Sequence, residues 1–169
     1  AISCPPGDIV ALACRSSGST GAPKLFPHRL SRLLRLADAL VARLELDSED
    51  RSLWCLPGFT PFILTSQILP CLLAGGCLLV QTRFQAPSVA QALFHKGVTR
   101  TYLYPSQYSA LLDYAGTSHQ LRSCVTGGDL CPVSLHRAFE ERFAIGIFQS
   151  MGTSETLAYS INTSPRLDK

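Results

Sequence analysis

The chain has 169 residues, of which 46% are hydrophobic and 16% charged, with a formal net charge of +3 at pH 7. This composition is typical of one compact α/β domain, and the small, scattered positive charge argues against a nucleic-acid surface. No stretch is long and apolar enough to span a bilayer and the start has no signal-like core, so we predict a cytoplasmic protein without membrane contact. Seven cysteines, an odd count without a C-x-x-C pair, indicate free and mostly buried thiols.

Strand and helix patterns alternate along the whole chain. Apolar and β-branched runs predict strands, while opening prolines and apolar i, i+3, i+4, i+7 spacing predict helices. The predicted strands are 9–14, 51–56, 77–81, 99–103, 121–125 and 145–149, and the predicted helices are 29–46, 62–74, 87–96, 105–114 and 132–143. We expect Pro70 to kink or shorten the second helix. The alternation predicts an α/β fold, a mostly parallel sheet with helices on both faces.

A hydroxyl-rich segment, residues 16–24, follows the first predicted strand, which we expect to be buried. It consists of Ser16, Ser17, Gly18, Ser19, Thr20, Gly21, Ala22, Pro23 and Lys24. Glycines permit positive φ and a close backbone approach, hydroxyls donate to phosphate oxygens and a lysine adds positive charge, so the segment predicts a polyphosphate cradle. The P-loop spacing G-x-x-x-x-G-K-[ST] does not fit, because Lys24 comes three residues after Gly21 and precedes Leu25. A flexible linker is the alternative.

Two more glycine- and hydroxyl-containing segments follow predicted strands. One is Gly127-Gly128-Asp129 and the other runs from Met151 to Glu155. Because the carboxyl ends of parallel strands meet at one edge of a sheet, we expect both segments to lie beside residues 16–24, where one nucleotide would touch all three. The residue types alone leave a plain turn at the glycine pair and a surface carboxylate at Glu155 as alternatives.

The order of these segments resembles the adenylate-forming, or AMP-binding, superfamily of acyl- and aryl-CoA synthetases, nonribosomal-peptide adenylation domains and luciferases. Residues 16–24 resemble its phosphate-binding motif, and residues 149–156 resemble its later motif, an aromatic residue followed by Gly-x-Thr-Glu. Residues 125–129 are similar to its glycine pair beside adenine, and residues 72–80 to its helix, Gly-Gly turn and strand. Residues 23–28 most resemble aryl-acid:AMP ligases.

Members of that superfamily are several times longer. The resemblance therefore implies that residues 1–169 form a single AMP-binding subdomain of a large N-terminal domain, without its remainder or the C-terminal lid. It implies ATP and Mg²⁺ as cofactors, a small carboxylic acid as substrate and, as acceptor, CoA or the phosphopantetheine of an acyl or aryl carrier protein. Because the family's ribose-binding Asp and late lysine find no match here, we expect the chain alone not to turn over. An isolated subdomain would expose apolar surface, which favours homodimer formation.

The resemblance also implies a role for each candidate residue. It assigns the phosphates to Ser16, Ser17, Gly18, Ser19, Thr20, Gly21 and Lys24. It assigns adenine and its surroundings to Gly127, Gly128, Asp129, Gln149, Met151 and Gly152. Ser154 would donate to the α-phosphate as a catalytic residue, and Glu155 would be both catalytic and the Mg²⁺ ligand. Phe59, Thr60 and Thr153 would line the acid pocket.

Two departures from the family pattern favour a second hypothesis. Met151 stands where the family has an aromatic ring against adenine, and Thr60 stands at or beside a family histidine. The alternative is a degenerate, non-catalytic module of the same fold that binds a nucleotide or another protein. The four histidines, His28, His95, His119 and His136, fall in separate segments, and we expect them at the surface or with satisfied hydrogen bonds.

Overall fold

The computed structural model describes residues 8–16, 22–58, 60–114, 116 and 118–163. Six candidate site residues lie outside these ranges: Ser17, Gly18, Ser19, Thr20, Gly21 and Phe59. The strands are β1 (Val10–Arg15), β2 (Leu25–Arg29), β3 (Arg51–Trp54), β4 (Cys77–Val80), β5 (Arg100–Leu103), β6 (Ser123–Thr126), β7 (Ile147–Thr153) and β8 (Leu157–Asn162). The α-helices are α1 (Leu30–Leu44), α2 (Pro61–Ile63), α3 (Leu69–Leu73), α4 (Ala86–His95), α5 (Pro105–Leu111) and α6 (Val133–Phe143).

Six strands form the main sheet in the order β4-β3-β5-β6-β7-β8. The first five are parallel, and β8 pairs antiparallel with β7. Helices cover both faces, because alternate side chains of a strand point to opposite sides. Leu103 and Cys124 belong to the apolar cluster that includes residues of α4, α5 and α6, whereas Tyr102 and Val125 pack with residues of α1 and α2. The predicted α/β fold is confirmed.

The first predicted strand is present, but the prediction that it is a buried strand of the main sheet is wrong. β1 pairs antiparallel with β2 as a separate two-stranded sheet, and within it Val10 is exposed while Cys14 is buried. The reason is the connection length: nine residues join β1 to β2, enough for a hairpin but too few for the crossover that a parallel pair needs. Residues 16–24 therefore connect the strands of a hairpin, closed by a hydrogen bond from the Ser16 amide to the Lys24 carbonyl (3.0 Å).

The second predicted helix is divided by a π-helical segment, Leu64–Ile68, between α2 and α3. In this segment the Leu69 amide donates to the Leu64 carbonyl, five residues back. Pro70, the second residue of α3, has no N–H to offer the preceding turn, which is where we expected an irregularity. The helix α3 ends at Leu73, and Gly75 follows two residues later with a φ of +77°, the left-handed conformation that glycine adopts without strain.

The end of the chain differs most from the prediction. The strand predicted to end at Gln149 continues to Thr153, and an unpredicted strand, β8, returns beside it. Met151, Gly152 and Thr153 therefore lie within β7, and Ser154 and Glu155 lie in the β7–β8 turn.

A buried ion pair joins the amino ends of the central strands. Arg100 Nε lies 2.7 Å from Asp50 Oδ1, with both side chains less than 5% exposed. Arg100 also donates to the Leu44 and Glu45 carbonyls at the end of α1, and the Thr99 hydroxyl donates to Asp50. These bonds fix α1 to the sheet.

The described part of the chain agrees with the prediction of free, mostly buried cysteines. Its six cysteines are all free, and five of them are buried while Cys77 is exposed. None of its helices combines the length and the apolar content that crossing a membrane requires.

Candidate functional site

A candidate cavity lies where the hairpin meets the carboxyl ends of the sheet. Its volume is about 560 Å³. Arg15 of the hairpin, Gly128 after β6 and Ser154 after β7 all line it, so the structure brings together two predicted segments and the residue that directly precedes the third. The other lining residues are Pro61, Phe62, Ser66, Ser150, Gly152, Thr153, Leu157 and Ala158.

A second cavity of about 300 Å³ adjoins the first. Gly128, Ser150, Gly152 and Thr153 line both cavities, and the smaller one is also bordered by Asp129, Leu130, Gln149, Met151 and Tyr159. Met151 and Tyr159 are both more than half exposed. Apolar and aromatic side chains thus face a recess between two strand ends, an arrangement suited to a flat heterocycle.

Glycine is required at two positions between the cavities. Gly128 has a φ of +80°, which strains any residue with a Cβ. A Cβ at Gly152 would lie 2.5 Å from the Leu157 carbonyl oxygen of β8, so no larger side chain fits the hairpin as it stands. Backbone is consequently exposed to a ligand at both sites.

The segment after β6 is held by Gln149. The Gln149 amide donates to the Asp129 carbonyl (3.1 Å) and accepts from the Cys131 amide (3.0 Å). The Asp129 carboxylate accepts from the Leu130 amide (2.8 Å). Gln149, predicted to bind the cofactor, therefore positions the loop that borders the smaller cavity.

The β7–β8 turn is built from paired threonines. The Thr153 amide donates to the Thr156 hydroxyl (3.3 Å), the Thr156 amide donates to the Thr153 hydroxyl (3.2 Å), and the two hydroxyls lie 2.9 Å apart. The hydroxyl of Thr153, a residue predicted to line the acid pocket, is therefore hydrogen-bonded within the turn. Thr153 also borders both cavities. These bonds hold Ser154 and Glu155 in a tight turn.

Glu155 is poised as a carboxylate. A hydrogen bond from the Thr153 side chain lowers the pKa of Glu155, and its own backbone amide and the charge of Lys24 act in the same direction. The side chain is exposed and hence accessible to a cation. Within the described ranges, no group of three His, Cys, Asp or Glu residues is arranged to hold a metal ion. A cation at Glu155 would therefore need ligand or water oxygens to complete its shell, as Mg²⁺ commonly does.

The hairpin contributes Ser16 and Lys24. The Ser16 hydroxyl accepts from the Lys24 amide (3.0 Å), which leaves its own hydrogen free to donate. The charge of Lys24 reaches Glu155. The two ends of the segment are thus adjacent and close to the β7–β8 turn.

Thr60, predicted to line the acid pocket, directly precedes α2. Its hydroxyl donates to the Pro57 carbonyl (3.1 Å) and accepts from the Ile63 amide (3.4 Å), so it caps α2. The next two residues, Pro61 and Phe62, line the larger cavity.

Sequence reasoning missed several residues of this region. Ser66 lines the larger cavity, and its buried hydroxyl has no hydrogen-bond partner within the described residues. The run Thr65-Ser66-Gln67, polar and buried inside an apolar helical stretch, was the available signal. Tyr159 was missed because β8 was missed.

His28 was expected at the surface or with satisfied hydrogen bonds, and that expectation is wrong. The residue is buried, and only one of its ring nitrogens has a partner among the residues that the structure describes. His119 does meet the expectation: Nε2 lies 2.7 Å from the Phe143 carbonyl, and Nδ1 accepts from the Leu121 amide.

The sequence profile of the family described as AMP-binding enzyme matches residues 2–169. The chain belongs to the AMP-binding enzyme family. Its similarity to curated members includes a sulfoacetate–CoA ligase from Cupriavidus necator, 30% identical over 156 residues, and an indoleacetate–CoA ligase from Aromatoleum aromaticum, 28% identical over 158 residues. Each alignment covers 91% of this chain and 31% of the relative. The chain thus spans about a third of the length of each of these two relatives.

Solved structures of AMP-binding enzymes share the fold. ATP-bound MatB from Rhodopseudomonas palustris superposes with a TM-score of 0.85 at 19% identity, covering 94% of this chain and 32% of that one. O-succinylbenzoate coenzyme A synthetase from Bacillus subtilis, in complex with ATP and magnesium ion, gives a TM-score of 0.79 at 25% identity, covering 88% and 31%. The predicted family membership and fold are confirmed.

Proposed function

We propose that this chain is the ATP- and Mg²⁺-binding subdomain of an AMP-forming ligase. The ligase would activate a small carboxylic acid, acyl or aryl, as an adenylate and transfer it to the thiol of CoA or of a carrier-protein phosphopantetheine. One observation carries the proposal: Arg15, Gly128 and Ser154, which adjoin three separate motifs, line a single cavity. The names of the matched relatives, which are ligases that form CoA thioesters, support the reaction class.

The triphosphate is assigned to the hairpin side of the larger cavity. Ser16 has a hydroxyl that can donate and Lys24 a positive charge, and both suit phosphate oxygens. Ser17, Gly18, Ser19, Thr20 and Gly21 belong to the same segment, and we assign them the same role from their residue types. Such a site acts by orientation and charge stabilisation rather than by covalent chemistry.

Mg²⁺ is assigned to Glu155. Its pKa is lowered, so it stays ionised well below neutral pH, and a hard cation prefers carboxylate and phosphate oxygens. When bound, Mg²⁺ neutralises phosphate charge as pyrophosphate leaves. Ser154, the neighbouring residue, is assigned to the α-phosphate. Its hydroxyl donates to the Arg15 carbonyl (3.2 Å) and would have to turn away from that carbonyl to donate to the phosphate.

The smaller cavity is assigned to adenine. Gly128 and Asp129 form one border, and Met151 and Gly152 form the other. Gly127 directly precedes this border, and we assign it the same role from its place in the sequence. Tyr159 adds an aromatic face at the same recess, close to the place where Met151 offers only a thioether. The acid is assigned to the inner part of the larger cavity, where Phe62 supplies apolar surface and Ser66 an unpartnered hydroxyl.

In the assigned reaction, a carboxylate oxygen of the acid forms a bond to the α-phosphorus while the bond to the bridging oxygen breaks and pyrophosphate leaves. A thiol then attacks the acyl carbon and AMP departs. We propose that the 169-residue chain binds ATP and Mg²⁺ but does not complete this reaction alone.

Isothermal titration of the chain with ATP, with and without Mg²⁺, tests the proposal. We expect Mg²⁺-dependent binding that weakens about tenfold in Glu155→Gln, the loss corresponding to one charge-assisted contact. Glu141→Gln, an exposed carboxylate on α6, is the matched control and should bind like the wild type. No binding by the wild type, or equal binding by both variants, would contradict the assignment.

A degenerate module that binds a nucleotide or a protein without catalysis is the second candidate. Met151 in place of a ring and the use of Thr60 as a helix cap favour it. Pyrophosphate exchange across a panel of carboxylic acids, with the full-length protein, separates the two: exchange supports the ligase, and ATP binding without exchange supports the module. Exchange by the 169-residue chain alone would overturn the view that it is only a binding subdomain.

A further inference from the structure

His28 is a buried side chain that connects two motifs far apart in sequence. It lies on β2, directly after residues 16–24, and is 2% exposed. Its Nε2 is 2.8 Å from the carbonyl oxygen of Ser154, 126 residues later. Because a carbonyl oxygen only accepts, Nε2 must carry the hydrogen, which leaves Nδ1 as an acceptor. Nδ1 has no hydrogen-bond partner within the described ranges. Among the described residues, the bond to Ser154 is therefore the only hydrogen bond that the ring makes.

Other bonds join the same two regions at the surface. The Ser154 hydroxyl donates to the carbonyl of Arg15 (3.2 Å), the residue directly before the 16–24 segment. Arg32 of α1 donates to the Thr156 carbonyl (3.1 Å). Both bonds are exposed, and water competes with exposed hydrogen bonds, whereas the His28 bond is partly buried. The His28 bond is therefore the strongest candidate for holding the two regions in a fixed relation.

We propose that His28 is a positioning residue that fixes the β7–β8 turn against the β1–β2 hairpin. The inference rests on the proposed function, because it assigns the triphosphate to the hairpin and Mg²⁺ to the turn. In the proposed site, a chelate of Mg²⁺ and triphosphate must contact Lys24 and Glu155 at the same time. If the β7–β8 turn were not held against the hairpin, ligand binding would have to order the turn. That ordering lowers affinity, although His28 itself touches no ligand.

Three substitutions isolate the hydrogen bond. His28→Gln places an amide N–H near the position of Nε2, His28→Asn places it near Nδ1, and His28→Leu removes it. We expect the dissociation constant for Mg²⁺·ATP, measured by isothermal titration on the 169-residue chain, to rise about tenfold in His28→Asn and His28→Leu. We expect His28→Gln to stay within about threefold of the wild type, because it retains the donor to Ser154.

Hydrogen exchange gives a readout that does not need the ligand. In His28→Asn and His28→Leu, amides of residues 10–29 and of residues 150–160 should both exchange faster, and in His28→Gln neither segment should change. Faster exchange in one segment alone would overturn the inference.

The outcomes distinguish this inference from the proposed function. If the wild type does not bind Mg²⁺·ATP, the proposed function fails, and the exchange experiment alone decides on the coupling. If the wild type binds and all three variants bind equally well, the inference is wrong. If His28→Leu does not fold, the comparison of His28→Gln with His28→Asn tests the inference. Equal losses of Mg²⁺·ATP affinity in these two variants would show that a donor at the position of Nε2 does not determine the affinity, and the inference would be wrong.

Discussion

The two ends of the parallel strands are built in opposite ways. At the amino ends, Asp50 and Arg100 are buried and their polar atoms are paired with each other and with the end of α1. At the carboxyl ends, the buried hydroxyls of Ser66 and Thr126 have no partner within the described part of the chain, and Met151 is exposed. An unpaired buried hydroxyl costs about 1–3 kcal/mol. One end of the sheet therefore contributes stability, and the other retains unsatisfied hydroxyls, of which that of Ser66 lines the larger cavity.

Removing the buried charge at the amino end should have the largest effect. Asp50→Asn leaves the Arg100 guanidinium without its counter-charge, and breaking a buried ion pair costs about 3–5 kcal/mol. Urea unfolding followed by the fluorescence of Trp54, the single tryptophan, measures the loss. The folded variant should bind Mg²⁺·ATP like the wild type, because the network lies at the opposite end from the cavities.

Asp47→Asn is the matched control for that prediction. Asp47 pairs with Arg122 at the surface, where both side chains are more than 40% exposed, so its loss should change stability much less. Equal destabilisation by the two variants would contradict the division between a stabilising end and a binding end, and so would a loss of ATP affinity in folded Asp50→Asn.

The same pair should make stability depend on pH. Burial raises the pKa of Asp50, but hydrogen bonds from Arg100, Thr99 and the Asp47 amide outweigh it, so the pKa falls below the ordinary value of 3.8. A lowered pKa in the folded state means that the contribution is complete above pH 3.8 and is lost as pH falls through the lower, folded value. From pH 6 to pH 2, the free energy of unfolding should fall less steeply in Asp50→Asn than in the wild type. Equal slopes in the two proteins would show that Asp50 does not cause the pH dependence.

Ring stacking at the carboxyl end should have a smaller effect. Tyr159→Ala should weaken Mg²⁺·ATP binding about tenfold, since stacking of a base on an aromatic ring contributes about 1–3 kcal/mol and this ring is largely exposed. Tyr159→Phe keeps the ring and should bind normally. Met151→Tyr should tighten binding by supplying a second ring beside the same cavity. An equal loss in Tyr159→Phe and Tyr159→Ala would assign the contact to the hydroxyl instead.

The sequence predicts the α/β alternation well because each central strand and helix has a local pattern. Arg51–Trp54 and Val133–Phe143, for example, lie inside their predicted bounds. The prediction from sequence fails where the pairing partner of a strand determines its position and burial. Residues 10–15 form a strand, but the apolar run 9–14 does not reveal that β2 will pair with it as a hairpin and leave Val10 exposed.

The site is predicted where a motif has its own chemistry and missed where three-dimensional packing creates it. Ser154, Glu155 and Gly128 stand out from their residue types and spacing, and they do converge with the end of the hairpin. Tyr159 becomes relevant only because β8 returns beside β7, and His28 only because Ser154 comes within 2.8 Å of it. Neither relation leaves a local signal in the sequence.

Cysteine alkylation should show the same contrast between the amino and carboxyl ends of the parallel strands. We expect a small difference between the alkylation rates of cysteines near the two ends. Burial raises the pKa of Cys71 to about 11 and that of Cys124 to about 12, and it also raises the pKa of Cys131. Cys131 follows the glycine pair beside the cavities, and Gln149 holds its amide, whereas Cys71 and Cys124 lie nearer the paired amino ends. Local opening at the less satisfied end should let iodoacetamide reach Cys131 before the other two, and exposed Cys77 serves as the fast internal reference.

Fragment-ion mass spectrometry of tryptic peptides after timed alkylation measures these rates, because Cys71 and Cys77 share one tryptic peptide and Cys124 and Cys131 share another. Mg²⁺·ATP should slow modification of Cys131, because a ligand that contacts Gly128 and Asp129 favours the closed loop, and should leave Cys77 unchanged. If Cys71 reacts as fast as Cys131, or if the nucleotide protects both equally, the two ends of the sheet open together. The amino-end network would then stabilise the whole sheet, including the binding edge, rather than its own end alone.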